Sequence, residues 1–173
     1  LAVVSAVSER TIIDEIEAAA EKTAFVIVDV EGTASMTVAY AISRADLVII
    51  PVQGSQLDAA EAAKAIKLIR QQEKAFGRRI PSAGLLTRTS AAIQPRTLRH
   101  VRAELEGAQV PIFNTQMHER EAFRAIFSFG GTVEGLRPEQ VGGLDGAVKN
   151  ARAFAAEVVA LLRKQPVTER AGA

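Results

Sequence analysis

Along the chain, short runs of β-branched and other apolar residues alternate with longer segments whose apolar positions recur every three or four residues. The runs are Leu1 to Ala6, Phe25 to Val30, Leu47 to Val52, Ile80 to Leu86 and Val110 to Phe113, and their lengths suit strands. The periodic segments predict helices over Glu9 to Glu21, Ser35 to Arg44, Leu57 to Phe76, Pro95 to Glu106, His118 to Phe127 and Leu144 to Arg163. Phe25-Val-Ile-Val28 and Leu47-Val-Ile-Ile50 are apolar at every position, whereas a strand with one wet face would alternate. Such runs predict strands covered on both faces. Strands and helices alternating at these lengths predict βαβ crossovers, hence an α/β fold of three layers with a mostly parallel sheet between helices. The pattern predicts one domain over residues 1–164 and a polar, fraying tail over 165–173.

Composition narrows the function classes. The chain has 173 residues, 48% apolar and 24% charged, enough for a single core. Lys and Arg total 21 against 20 Asp and Glu, so a nucleic-acid role has to rest on where the charges lie. The absence of cysteine removes disulfides, thiolate nucleophiles and cysteine metal sites. No apolar run approaches the roughly 20 residues that span a bilayer, and no signal-peptide pattern is present, so a cytoplasmic protein is expected. The chain opens at Leu1 on strand-like residues, and the native start is expected upstream.

In a parallel sheet, ligands bind beyond the carboxyl ends of the strands, so the residues after each apolar run are the candidates. The second run ends in Asp29, followed by Val30-Glu31-Gly32-Thr33. An unpaired carboxylate at the end of an apolar strand is expensive to bury and calls for a partner such as a magnesium ion or its water shell. Gly32 would let the backbone approach an anion and present its N–H there. The bland alternative is an aspartate that caps the next helix, with Gly32 in the turn.

The segment Ala45-Asp-Leu-Val-Ile-Ile-Pro51-Val-Gln-Gly-Ser-Gln-Leu-Asp58, one helix after Asp29, resembles the corresponding segment of the ParA/MinD partition ATPases, P-loop NTPases with a deviant Walker A loop. Leu85-Leu-Thr-Arg-Thr89 is similar to that family's strand on the adenine side of the site. Val110 to Arg120 resembles its late strand and turn, and Ala122 to Gly131 its following helix end. The order and spacing of these stretches carry the resemblance across nearly the whole chain, and its ParA-like branch fits best. The resemblance implies ATP and Mg2+ as cofactors. Asp29 would hold the metal through water, the Gly32 N–H would lie near the γ-phosphate, and Thr87 and Arg88 would line the base. It also implies an ATP-dependent homodimer, binding to DNA without sequence preference, and a ParB-like partner that stimulates hydrolysis. Glu31 stands where the family usually has proline, which alters the expected switch. A glycine-rich G-x-x-x-x-G-K-[ST] loop is missing from these residues: no glycine precedes Gly32, and the only lysine before it is Lys22. Without that loop these residues alone are expected neither to bind ATP well nor to hydrolyse it. The alternative is a non-catalytic relative, an interaction or DNA-binding module.

Between Lys74 and Arg102 the chain carries Arg78, Arg79, Arg88, Arg96, Arg99 and Arg102 and no acidic residue. In a helix, Arg96, Arg99 and Arg102 would recur along one face, and with Arg78 and Arg79 they are the candidate DNA contacts. A solvated basic face is the plain alternative. His100 and His118 have no carboxylate at ligand spacing, and surface or capping roles are expected for both. Phe123 to Phe129 reads as core or a dimer face. The last helix shows Ala151, Phe154, Val158, Leu161 and Leu162 on one stripe for packing on the sheet. The polar residues after Arg163 offer no membrane-binding helix, so no membrane partner is expected.

Overall fold

A computed structural model describes residues 2–31, 35–54, 56–92, 96–107 and 109–164, and of residues 56 and 57 the backbone only. The tail expected over 165–173 lies outside the described residues. In chain order the elements are α1 (Ile12–Ala20), α2 (Met36–Arg44), β1 (Val48–Val52), α3 (Gln56–Phe76), β2 (Ser82–Thr89), α4 (Arg96–Gly107), β3 (Met117–His118), α5 (Glu121–Phe129), a 3-10 turn (Val133–Gly135) and α6 (Leu144–Arg163). The α/β class read from the apolar pattern is the class observed. The chain divides into two compact units, Leu1–Val48 with Ala63–Ser82, and Ile49–Ala62 with Ala83–Ala173.

In the first unit α1 packs on α2. Val38, Ala39, Ala41 and Ile42 of α2 are buried, as is Ile12 of α1. Ser35 caps α2 by accepting the Val38 N–H at 3.3 Å. At the other end, Arg78 donates to the carbonyls of Ser43 and Ala45 at 2.8 and 2.7 Å. A helix leaves its last carbonyls without internal donors, and this guanidinium supplies them. Arg44 of α2 also meets Glu17 of α1 at 2.8 Å on the surface.

Two expected strands do not form. Residues 2–6 and 25–30 are irregular and exposed, with Phe25 at 62% and Ile27 at 90% of full exposure. A strand apolar on both faces is stable only when neighbours take up its backbone hydrogen bonds and layers cover it. Among the described residues no strand pairs with either segment, so the apolar pattern alone does not make a strand here.

The second unit holds the sheet, in the order β1-β2-β3, with β2 parallel to β3. The expected strand over Val110 to Phe113 is reduced to a single parallel bridge, Gly84 to Ile112. Pairing resumes at Met117–His118, where a helix start was expected, and that helix begins instead at Glu121. The core beside the sheet includes Val52, Leu85, Leu86, Val110 and Phe113. Helix α4 adds Leu98, Val101 and Leu105, spaced for one helical face. A second cluster gathers Ala122, Ala125, Leu136, Val141 and Ala147 from α5, α6 and the segment between. Gly130, at φ +73°, ends α5 in a backbone conformation that suits glycine. Among the described residues no helix is long and apolar enough to cross a membrane.

Candidate functional site

The carboxyl end of β2 is distorted in a way that exposes one residue and buries the next. Thr87 pairs with Met117 and Thr89 with His118, so β2 takes two steps where β3 takes one, and Arg88 is the extra residue of a bulge. Arg88 has φ +53°, a strained value for a side chain of its kind. Its exposed guanidinium meets Glu119 at 3.2 Å, and Glu119 also pairs with Arg124 at 3.0 Å. Thr89, past the bulge, is only 5% exposed. Its hydroxyl lies 2.9 Å from Nδ1 of His118, and its carbonyl accepts the Glu119 N–H at 2.9 Å.

Beyond these strand ends lies a cleft of about 490 Å³ lined by Ser90, Ala91, Ala92, Asn114, Thr115, Gln116, His118 and Asn150. Its rim over residues 114–118 has little regular structure of its own, and helix α6 holds it. Asn150 accepts the His118 N–H at 2.9 Å and donates to the Gln116 carbonyl at 2.8 Å. Glu157, two helical turns on, accepts the N–H groups of Asn114 and Thr115 at 2.6 and 2.8 Å. Between them Phe154 meets Phe113 edge to face, ring centres 5.1 Å apart. Burial pushes the Glu157 carboxyl up, but the Asn114 and Thr115 donors outweigh it and hold the group below the usual glutamate range. Ala147, also on α6, is fully buried. Nearby, an added Cβ at Gly146 would come within 2.8 Å of the Arg120 guanidinium, so the glycine leaves room for it.

The residues singled out in the sequence fall in different surroundings. Asp29 is exposed on the irregular segment 25–30, and Gly32 lies outside the described residues. Thr87 is half-buried, its hydroxyl 3.4 Å from the Val52 carbonyl. Neither Thr87 nor Arg88 lines the cleft. Arg79, Arg96 and Arg99 are exposed and Arg102 is half-buried. Arg78 and Arg79 belong to the first unit, Arg96, Arg99 and Arg102 to the second. Asn114 directly follows the apolar run Val110 to Phe113, the position where ligand contacts were sought, so a signal for it was present. Asn150 and Glu157 had none, because a polar residue inside a helix says nothing of the loop it will meet.

Among the described residues the cleft's lining offers hydroxyl, amide and imidazole groups and no lysine, arginine, aspartate or glutamate. That chemistry suits the uncharged polar edge of a planar ligand such as a nucleobase, and does not suit a phosphate chain. Among the described residues no three His, Asp or Glu side chains gather to bind a metal directly. An exposed carboxylate such as Asp29 would leave room for a hydrated cation.

Residues 4–134 match the family model described as VirC1 protein. The chain is 39% identical over 151 residues to a protein of Rhizobium radiobacter named Protein ParA, covering 87% of this chain and 68% of that protein.

Proposed function

The chain belongs to the VirC1 family and to the ParA-like partition ATPases, with a partitioning-related role, and from that premise we propose that it is the nucleotide- and DNA-handling component of a partition system. The observation that carries this reading is the neutral polar cleft beyond β2 and β3, on the side of a parallel sheet where ligands bind. The cleft receives the base of ATP, with the adjoining Thr87 and Arg88 stretch shaping its approach. As the family resemblance implies, Asp29 would hold a hydrated Mg2+ through water, and Gly32, which lies outside the described residues, would offer its N–H near the γ-phosphate. The metal supplies charge neutralisation at the transferring phosphoryl group. ATP joins two copies of the protein in the cytoplasm, the dimer binds DNA without sequence preference, and a ParB-like partner stimulates turnover.

DNA contact is assigned to Arg96, Arg99 and Arg102 on α4, together with Arg79. Helix α4 turns Leu98, Val101 and Leu105 inward, which leaves Arg96 and Arg99 on the exposed side. Arg78, with its guanidinium on the carbonyls of Ser43 and Ala45, supports α2. Replacing Arg96, Arg99 and Arg102 together by alanine is expected to weaken binding to duplex DNA. It should also flatten the salt dependence, by roughly one unit of slope for each phosphate that is no longer neutralised. Unchanged affinity and slope would leave α4 as a solvated face. For the nucleotide, Asp29→Ala in a full-length protein that carries the glycine-rich loop and hydrolyses ATP should lower turnover by roughly tenfold or more, and equal turnover in that variant removes the metal role.

The alternative reading is a ParA-like DNA-binding or interaction module without nucleotide turnover. DNA binding that persists in the absence of any ATP hydrolysis would select it.

A further inference from the structure

We propose that Glu157 is a positioning residue that, with Asn150, presets the rim of the cleft so that Asn114 offers a hydrogen-bond acceptor to a base carrying an amino group. This inference rests on the reading of the cleft as a base site.

An ionised glutamate only accepts hydrogen bonds. Glu157 Oε1 receives both the backbone N–H and the side-chain Nδ2 of Asn114, at 2.6 and 3.1 Å. The orientation of an asparagine amide follows from the network around it, and here the network leaves no choice: the NH2 edge must face the carboxylate. Asn114 lines the cleft, and with one amide N–H spent on Glu157 its amide oxygen is the acceptor available to a ligand. A ligand group that meets it has to donate, as the exocyclic amino group of adenine does.

Asn150 acts differently, although it also lines the cleft. Its oxygen is engaged by the His118 N–H and its nitrogen by the Gln116 carbonyl, so its amide is committed to the rim. Asn150, Phe154 and Glu157 recur at helical spacing on one stripe of α6, and all three touch residues 113–118. The rim's shape is therefore imposed by a helix distant in sequence. Glu157 has the further effect of choosing which edge of Asn114 is presented.

The test uses adenosine and purine riboside, the same ring and sugar without the amino group, titrated into the full chain by ligand-observed saturation-transfer NMR. The unsubstituted chain is expected to prefer adenosine by roughly threefold to tenfold, the worth of one hydrogen bond in water. Glu157→Gln keeps the shape of the side chain but can itself donate, which frees the Asn114 amide to turn over; the preference should fall toward one while adenosine still binds. Asn114→Ala leaves Glu157 in place and should abolish the preference as well, which guards against a folding defect at position 157. If Glu157→Gln retains the full preference, or if the unsubstituted chain has none, the positioning role is overturned and the base site stands. If neither nucleoside binds saturably to the unsubstituted chain, the base site fails and this inference fails with it.

Discussion

Residues 25–30 and residues 113–118 make an instructive pair. The first segment is almost wholly apolar and carries the carboxylate that the sequence marks as most telling, yet it forms no strand and its side chains are exposed. The second is short and mostly polar after Phe113, yet most of its backbone N–H groups meet a named acceptor on α6 or β2. Apolar character supplies a driving force only where something is present to bury it against. Hydrogen-bond donors and acceptors, by contrast, set a loop's geometry as soon as one rigid element presents matching groups. The described structure gives the second segment such an element and gives the first none.

The sharpest way to break this comparison is at Phe113, which is 1% exposed and meets Phe154 edge to face. Phe113→Ala should cost about 3–5 kcal/mol in urea unfolding, the range for removing a buried aromatic ring. A cost below about 1 kcal/mol would mean that the α6 stripe does not anchor the rim.

Next in size is Glu157→Ala, expected to cost about 1.5–3 kcal/mol, since it removes a charged acceptor from several donors at once. Its pH dependence has a definite sign. The folded-state pKa of Glu157 is lowered, so its contribution is fully present above the ordinary glutamate pKa and is lost as pH falls through the folded value. The stability gap between the unsubstituted chain and Glu157→Ala should therefore be constant near neutrality and narrow as pH falls below the ordinary glutamate pKa. A gap that widens on acidification would contradict the assigned hydrogen bonds.

The smallest effect belongs to the other half of the pair. Ile27 is 90% exposed, and Ile27→Ser is expected to change the chain's stability by less than about 0.5 kcal/mol. A loss of about 2 kcal/mol or more, on the order of a buried isoleucine, would show that this segment is covered in solution and would erase the contrast.

Much of the fold was legible because helices announce themselves locally. The boundaries of α6 coincide with the periodic segment Leu144 to Arg163, and Ser35 and Gly130 mark helix ends with side-chain or backbone chemistry that reads from one residue. Strands were less legible, since the same apolar run describes β1 and the unpaired residues 25–30 equally well. Pro111 to Phe113 illustrates the intermediate case, where an apolar run makes one bridge and the chain then turns away until Met117. For the candidate site, the rule that ligands sit after strand ends led to Asp29, Gly32, Thr87 and Arg88, and the cleft is lined instead by Ser90 and Asn114 with their neighbours. The bulge at Arg88 that buries Thr89 was not visible, because it arises from unequal steps on two strands.

By itself the sequence determined the α/β alternation, most helix boundaries, the family and the chemistry available at each strand end, because these depend on local spacing and residue type. Which apolar runs became strands, which edge of Asn114 faces a ligand and which two polar residues of α6 hold the rim were decided only by tertiary structure. Each of those depends on a partner far away in the chain, and the energy of a hydrogen bond or a buried ring exists only once that partner is in place.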